Sequence, residues 1–198
     1  MKILVIGGAG YLGLKLSKRL LLDRFHVTIC DNMNYDTYDV IDKLSDKFNV
    51  YNGLEQDHFE FIEDDILNLK NNVNNLENYD KVFYLASPRL QDITDDKTVL
   101  EEVDRFSKVI EMFRDTIDNE NSGKHFYFMS SCSVYGKTTE AVNEYTEPMV
   151  TSHYSKLKIE CEKLMLKENN SFKIFRLSTL YGRGDFQRND ILINNLIE

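Results

Sequence analysis

The chain has 198 residues, of which 42% are hydrophobic and 29% charged, and its formal net charge is −9. This length suits a single domain with a sizeable buried core, and the composition is that of a globular protein. The acidic charge argues against broad binding to nucleic acid or to an anionic membrane, because both need a basic surface. It leaves open an anionic ligand held in a locally positive site.

Cysteines and histidines form no pattern of a disulfide framework or a metal site. The three cysteines are far apart and include no CxxC pair, and the four histidines lack the spacing of metal ligands. We therefore expect no metal and a reduced, cytoplasmic setting. The apolar start is too short for a secretion signal, and no apolar run reaches the length of a membrane span.

Short apolar runs alternate with amphipathic segments along the chain. The apolar runs predict strands at 2–6, 26–30, 58–62, 81–85, 125–129 and 172–177. The amphipathic segments predict helices at 11–22, about 36–47, 99–118 and 152–168. This alternation predicts an α/β fold with a doubly wound parallel sheet in one domain. The Asn-rich stretch 65–80 is compatible with either a loop or a short helix.

The stretch "VIGGAGYLG" follows the first predicted strand and contains Gly7, Gly10 and Gly13. Glycines at this spacing permit a tight strand-to-helix turn, a close approach of the backbone to a pyrophosphate, and close packing of helix on sheet. The helix N-terminus would then present free N–H groups to the phosphates. We therefore predict a Rossmann-type dinucleotide site here; the alternative is a plain tight turn.

Acidic and small residues follow the next strands. Asp31 ends the second strand, where a carboxylate accepts hydrogen bonds from both ribose hydroxyls and repels a 2′-phosphate, which favours NAD over NADP. Asp64 or Asp65 is a candidate for the adenine amino group. Ala86 and Ser87 leave room for a cofactor at the end of the fourth strand. The structural alternative is a cap at the strand end for Asp31 and an exposed turn for Asp64 or Asp65. For Ala86 and Ser87 it is simple packing.

The stretch "HYSKLK" places Tyr154 four residues before Lys158, on one face of a predicted helix. An ammonium beside a phenol favours the phenolate, whose pKa is otherwise about 10. Such a pair suits acid–base catalysis, but it also occurs by chance on solvated helices.

Seven stretches stand in the order of one family: "GGAGYLG", "DNMN", "DDI", "YLAS", "SSCSVYG", "HYSKLK" and "RLSTLYG". Over residues 1 to about 185 the chain resembles the extended short-chain dehydrogenase/reductases, in the NAD-dependent sugar-nucleotide epimerase/dehydratase group. The resemblance implies NAD as cofactor and a nucleotide sugar as substrate. The expected cofactor-binding residues are Gly7, Gly10, Tyr11, Leu12, Gly13, Asp31, Asn32, Asp65, Ile66, Leu85, Ala86, Ser87, Tyr154 and Lys158.

The resemblance also implies a catalytic trio of Ser131, Tyr154 and Lys158. Tyr154 would take a proton from a sugar hydroxyl as hydride leaves the same carbon, and Lys158 would also bind the nicotinamide ribose. Ser131 would hydrogen-bond the reacting oxygen. Ser133 and Thr179 fall at positions that face substrate in the family.

The chain departs from the family pattern in several places. Ser131-Cys132-Ser133 stands where the 4,6-dehydratases carry Thr-Asp-Glu, which disfavours elimination of water and leaves epimerase or keto-sugar reductase/dehydrogenase chemistry. Acidic residues replace family asparagines near the start of the predicted helix 99–118, which puts one cofactor contact in doubt; they are Glu101, Glu102 and Asp104. Arg183 replaces a frequent proline.

Residues 1–180 are predicted to form the NAD-binding and catalytic domain, with 181–198 as the start of a substrate-binding portion that is longer in relatives. This shortness motivates an alternative function, an NAD-binding module without independent catalysis. A third hypothesis, an NADPH-dependent reductase of non-sugar substrates, is disfavoured by Asp31. The resemblance implies a homodimer through the helices near 99–118 and 152–168.

Overall fold

A computed structural model describes most of the chain. The described residues are 1–34, 37–50, 58–72, 76–117 and 123–185. They group into two compact units. The first unit combines Met1–Ala86 with the segment that starts at Leu180, and the second unit is Ser87–Thr179.

Six strands are present in the described residues: β1 Lys2–Ile6, β2 His26–Asp31, β3 Phe59–Glu63, β4 Lys81–Tyr84, β5 His125–Ser131 and β6 Phe172–Leu177. Five α-helices accompany them: α1 Tyr11–Leu22, α2 Tyr38–Val50, α3 Leu69–Asn72, α4 Asp96–Ile117 and α5 His153–Met165. Short 3-10 helices occupy Ile66–Asn68, Leu76–Asn78, Leu90–Asp92 and Cys132–Tyr135.

The first unit contains a parallel sheet in the order β3-β2-β1-β4. The register pairs Ile3 with Val27 on one side and with Lys81 on the other. The interior strands β1 and β2 are almost completely buried, whereas β3, which pairs with β2, is partly exposed. This burial explains the continuous apolar character of the first two strands, because a parallel strand in mid-sheet is covered on both faces.

The second unit contains the parallel pair β5 and β6, with α4 and α5 packed in the same unit. Phe106 of α4 lies with its ring 4.6 Å from that of Phe128 on β5, measured between centroids. Val99, Phe106, Ile110 and Phe113 are buried, whereas Leu100 is 68% exposed. The apolar stripe of α4 therefore serves mainly the core of its own unit.

Helix caps set two boundaries that apolar periodicity misses. α4 begins at Asp96 rather than 99, because Asp95 accepts a hydrogen bond from the Thr98 N–H at 2.8 Å. α5 begins at His153 because Ser152 and Ser155 form a reciprocal capping box. The sequence was compatible with either a loop or a short helix at 65–80. Within 65–72 and 76–80 the structure contains short helical turns.

No helix within the described ranges has the length and apolar character needed to cross a membrane.

Candidate functional site

The glycine turn lies between β1 and α1 in the first unit. Gly7 has a φ of +74°, and a Cβ there would lie 2.5 Å from the Ala86 nitrogen. A Cβ on Gly13 would lie 2.6 Å from the Gly8 Cα. Both positions therefore require glycine for folding alone. Gly10 differs, because the nearest atom to its added Cβ is the Gly7 oxygen, at 3.5 Å.

The N-terminus of α1 is suited to an anion. Gly10 is the N-cap, it makes no side-chain cap, and the first turn carries no acidic residue. The first N–H groups of a helix lack intrahelical partners and lie at the positive end of its dipole. The space beside Gly10 and these donors fit the pyrophosphate of a dinucleotide.

Asp31 contacts the same turn. Its Oδ2 accepts a hydrogen bond from the Ala9 N–H at 3.0 Å, and its Oδ1 accepts one from the Met33 N–H at 3.0 Å. Burial raises the pKa of the Asp31 carboxyl, while the backbone bonds from Met33, Ala9 and Asn32 oppose that rise. Each carboxylate oxygen can accept more than one bond, so acceptor capacity remains for ribose hydroxyls. The sequence did not predict that Asp31 also fixes the glycine turn.

Other predicted cofactor residues of the first unit have structural contacts of their own. The N–H groups of Leu85 and Ala86 both donate to the Ile6 carbonyl. The Tyr11 hydroxyl donates to the Gly182 carbonyl at 2.6 Å, and the Asp65 carboxylate accepts from the Leu67 N–H.

The remaining residues of this set differ in exposure. Ile66 is buried, Leu12 half-buried and Asn32 exposed. Their contacts with NAD stay predictions.

Ser131 ends β5 and begins the Cys132–Tyr135 turn. Its Oγ accepts a hydrogen bond from the Ser133 N–H at 3.1 Å, which fixes the turn directly after the strand. The Ser133 Oγ is inaccessible to solvent and has no hydrogen-bond partner within the part of the chain that the structure describes. A contact between Ser133 and substrate stays a prediction.

Tyr154 and Lys158 lie in the first turns of α5. Lys158 is only 5% exposed and Tyr154 is half-buried. The Lys158 Nζ donates to the Met129 carbonyl at 3.1 Å and lies 5.6 Å from the centre of the Tyr154 ring. It is also 5.0 Å from the centre of the Phe128 ring. The pair therefore does not lie on a fully solvated helix face, because Lys158 is buried and anchored to β5.

Burial lowers the pKa of the Lys158 ammonium to about 8, against opposing effects of Cys161, Glu102 and Glu162. Burial also raises the pKa of the Cys161 thiol to about 12, so this thiol is neutral when Lys158 titrates. Glu102 and Glu162 are therefore the negative groups that favour the ammonium near neutral pH. Glu102 is one of the acidic residues that depart from the family pattern.

The sequence reasoning missed Glu162 and Arg176. Glu162 is 3% exposed, and Arg176 Nη2 donates to its Oε2 at 2.8 Å. The spacing of Glu162, four residues after Lys158, was the available sign of a shared helix face.

Two further predicted residues lie in the second unit. The Ser87 hydroxyl donates to the Pro88 carbonyl at 3.3 Å, and Thr179 is exposed after β6. Their roles stay predictions. Across the described ranges, no group of three His, Cys, Asp or Glu residues is arranged to hold a metal ion.

Comparison with known proteins gives a family match over almost the whole chain. The sequence profile of the NAD dependent epimerase/dehydratase family matches residues 3–198. The uncharacterized UDP-glucose epimerase YtcB of Bacillus subtilis (strain 168) is 31% identical over 208 residues, which cover 100% of this chain and 62% of the relative.

Two of the solved structures that are similar over the full chain hold both NAD and a UDP-sugar acid. UDP-glucuronic acid 4-epimerase from Bacillus cereus, in complex with UDP-glucuronic acid and NAD, is 29% identical with a TM-score of 0.78, covering 100% of this chain and 62% of that one. MoeE5, in complex with UDP-glucuronic acid and NAD, is 25% identical with a TM-score of 0.72, covering 100% and 60%. The chain thus spans about three fifths of these relatives.

These matches confirm the predicted Rossmann-type fold with a doubly wound parallel sheet. They also agree with the predicted NAD cofactor, which the family description names. The chain belongs to the NAD dependent epimerase/dehydratase family.

Proposed function

We propose that the protein is an NAD-dependent nucleotide-sugar epimerase or a related oxidoreductase, with Tyr154 as the acid/base. The observation that carries this proposal is the buried Lys158 beside Tyr154, bonded to the strand that ends in Ser131. A nearby ammonium stabilises a phenolate, so the arrangement suits proton transfer at the Tyr154 hydroxyl.

Proton transfer by the chain's own residues follows from this arrangement. The Tyr154 oxygen takes the proton of a sugar hydroxyl as the carbinol becomes a ketone, and it returns that proton on reduction. The Ser131 hydroxyl donates a hydrogen bond to the reacting oxygen and stabilises the charge that develops there. Lys158 keeps a positive charge near the phenolate.

The residues of the first unit would hold NAD, which when bound accepts hydride from the carbinol carbon and returns it. The α1 N-terminus would bind the pyrophosphate, and Asp31 the adenosine ribose. We place these functions in residues 1–180, and the start of a substrate-binding portion at 181–198.

UDP-sugars are the substrate class that the relatives support, since two of the solved neighbours hold UDP-glucuronic acid. Ser133 and Thr179 are the proposed substrate contacts. Ser131-Cys132-Ser133 provides no carboxyl pair for eliminating water, so epimerisation or reversible oxidation is the favoured chemistry.

The experiment supplies the chain with NAD and either UDP-glucuronic acid or UDP-glucose, and separates the sugar products by chromatography. We expect a C4 epimer or a keto sugar from the wild type. Lys158→Met should lose this product, while Lys156→Met, a change of the same type at a half-buried lysine of α5 that pairs with Asp96, should keep it. Equal turnover in Lys158→Met would refute the mechanism.

A second candidate is an NAD-binding module without independent catalysis. The observation behind it is that the matched residues account for 62% of the Bacillus subtilis relative. It predicts NAD binding without turnover of any UDP-sugar, so any product from the isolated chain would end it.

We further propose a homodimer through the exposed sides of α4 and α5. A groove between α4 and the C-terminal end of α5 with the residues that follow it is lined by Ser107, Ile110, Arg114, Leu164, Lys167 and Glu168. Sedimentation should give a dimer mass for the wild type and a lower mass after Leu100→Glu; a monomeric wild type would contradict the proposed homodimer.

A cytoplasmic location is also proposed, since the thiols of Cys30, Cys132 and Cys161 form no disulfide in the described structure.

A further inference from the structure

One buried carboxylate joins three elements of the second unit. The Glu162 Oε1, on α5, accepts a hydrogen bond from the Ser130 hydroxyl of β5 at 2.5 Å. Its two oxygens also accept bonds from Arg176 of β6, from Nε to Oε1 at 3.1 Å and from Nη2 to Oε2 at 2.8 Å. A paired, two-point contact of this kind fixes orientation as well as distance.

The same helix face carries Lys158, one turn before Glu162. Lys158 bonds to the Met129 carbonyl, and Glu162 bonds to the next residue of that strand, Ser130. Two successive residues of β5 are therefore tied to α5 directly before Ser131. These bonds join the Ser131 end of β5 to the helix face that carries Lys158.

Arg176 extends the contacts to the segment after β5. Its guanidinium carbon lies 4.9 Å from the centre of the Tyr135 ring, and its Nη1 donates to the Glu144 carbonyl at 3.3 Å. The Arg176 side chain is 15% exposed and that of Glu162 is 3% exposed. A buried charge on either one requires the other, because an unpaired charge at this depth is strongly destabilising.

We propose that Glu162, held by Arg176, is a positioning residue that fixes the Ser131 end of β5 and supplies a counter-charge to the Lys158 ammonium. The groups that face Lys158 are Tyr154, Cys161 and Glu162 of α5, Glu102 of α4, and the Met129 carbonyl and Phe128 ring of β5. The Glu162 side chain is also bonded to β5 through Ser130 and to β6 through Arg176.

The effect on turnover rests on the proposed function, whereas the effect on Lys158 itself does not. The test therefore measures the pKa of Lys158 directly, by NMR of the full chain carrying ¹³C-labelled lysine, with Lys158→Met to assign the signal. Glu162→Gln keeps the shape of the side chain and removes its charge. Glu160→Gln makes the same change on the same helix, at a residue paired with Lys163 near the surface.

Glu162→Gln should lower the pKa of Lys158 by about 1, and Glu160→Gln should leave it unchanged. Should Glu162→Gln fail to fold, the double variant Glu162→Gln/Arg176→Gln removes both charges and keeps two groups that can hydrogen-bond. Because the Arg176 cation is removed as well, a smaller fall of the Lys158 pKa is expected there. An unchanged Lys158 pKa in the folded single or double variant would overturn the inference.

Turnover gives a separate readout. In an active chain, Glu162→Gln should lower kcat about tenfold and move the pH profile in the same direction as the Lys158 pKa, with NAD affinity retained. A purely structural role would lower the amount of folded protein without moving that profile, and would contradict the inference. If the wild type shows no turnover, the proposed function fails, while the NMR result still decides the role of Glu162.

Discussion

The Lys158 ammonium nitrogen lies 5.6 Å from the centre of the Tyr154 ring, on the same face of α5. Removing the Tyr154 hydroxyl should therefore remove the proposed acid/base. We expect Tyr154→Phe to lower kcat by about 10²–10⁴-fold, with the free energy of unfolding and NAD affinity nearly unchanged. Product assays measure kcat, urea unfolding measures the free energy of unfolding, and calorimetry measures NAD affinity. A variant that keeps its turnover would show that another group moves the proton.

Lys158 should also make stability depend on pH. Burial lowers its folded-state pKa to about 8, below the ordinary lysine value of 10.5. Between these values the unfolded chain keeps the proton and the folded chain loses it, so the free energy of unfolding should rise with pH across that window. Across that window, the free energy of unfolding of the wild type should rise by on the order of 3 kcal/mol relative to that of Lys158→Met.

Urea unfolding at several pH values from about 7 to 11 gives that comparison. Lys156→Met is the control, and its pH dependence should match that of the wild type. The same slope in Lys158→Met and in the wild type would mean that Lys158 titrates normally.

The glycine turn allows folding to be separated from cofactor binding. Gly7→Ala should destabilise the protein by about 1–3 kcal/mol, because its φ is +74° and the new Cβ would meet the Ala86 backbone at 2.5 Å. Gly10→Ala should cost no more than about 1 kcal/mol, since the nearest atom is 3.5 Å away.

Gly10→Ala should nevertheless weaken NAD binding about tenfold or more, because its methyl group would occupy the space proposed for the pyrophosphate. Thermal unfolding and calorimetry on the same preparation measure both effects. If Gly10→Ala binds NAD normally, the turn is structural only.

Asp31 should control the choice of cofactor. Asp31→Ala removes an acceptor proposed for the ribose, so the Kd for NAD should rise about 10–100-fold. Asp31→Asn keeps an oxygen for the Ala9 N–H but loses the charge, and it should narrow the preference for NAD over NADP. Calorimetric titration with both dinucleotides tests this. A wild type that prefers NADP would revive the reductase hypothesis.

The sequence predicted the parts of the fold that depend on local patterns. The bounds of β1, α1 and β6 agree with those predicted, because apolar runs and glycines mark them. The start of α4 was missed because its cap, Asp95, lies outside the apolar pattern. Short turns such as Ile66–Asn68 have too few residues to show a period.

Sequence motifs identified the candidate site residues, but they did not predict the burial and contacts of those residues. Tyr154 and Lys158 stand at a recognisable spacing, but burial of Lys158 depends on packing between α5 and β5. Glu162 was missed because an acidic residue on an amphipathic helix normally indicates a solvated face. Its partner, Arg176, is 14 residues away in sequence, so only the folded chain brings the two charges together.

Hydride transfer is the central claim, and one absorbance measurement tests it most directly. The chain, saturated with NAD, is mixed with UDP-glucuronic acid or UDP-glucose, and the near-ultraviolet absorbance of reduced NAD is followed in the wild type and in Tyr154→Phe. The account predicts reduced NAD in the wild type, at least transiently, and none in the variant. No reduced NAD in the wild type, or an equal signal in Tyr154→Phe, would contradict it.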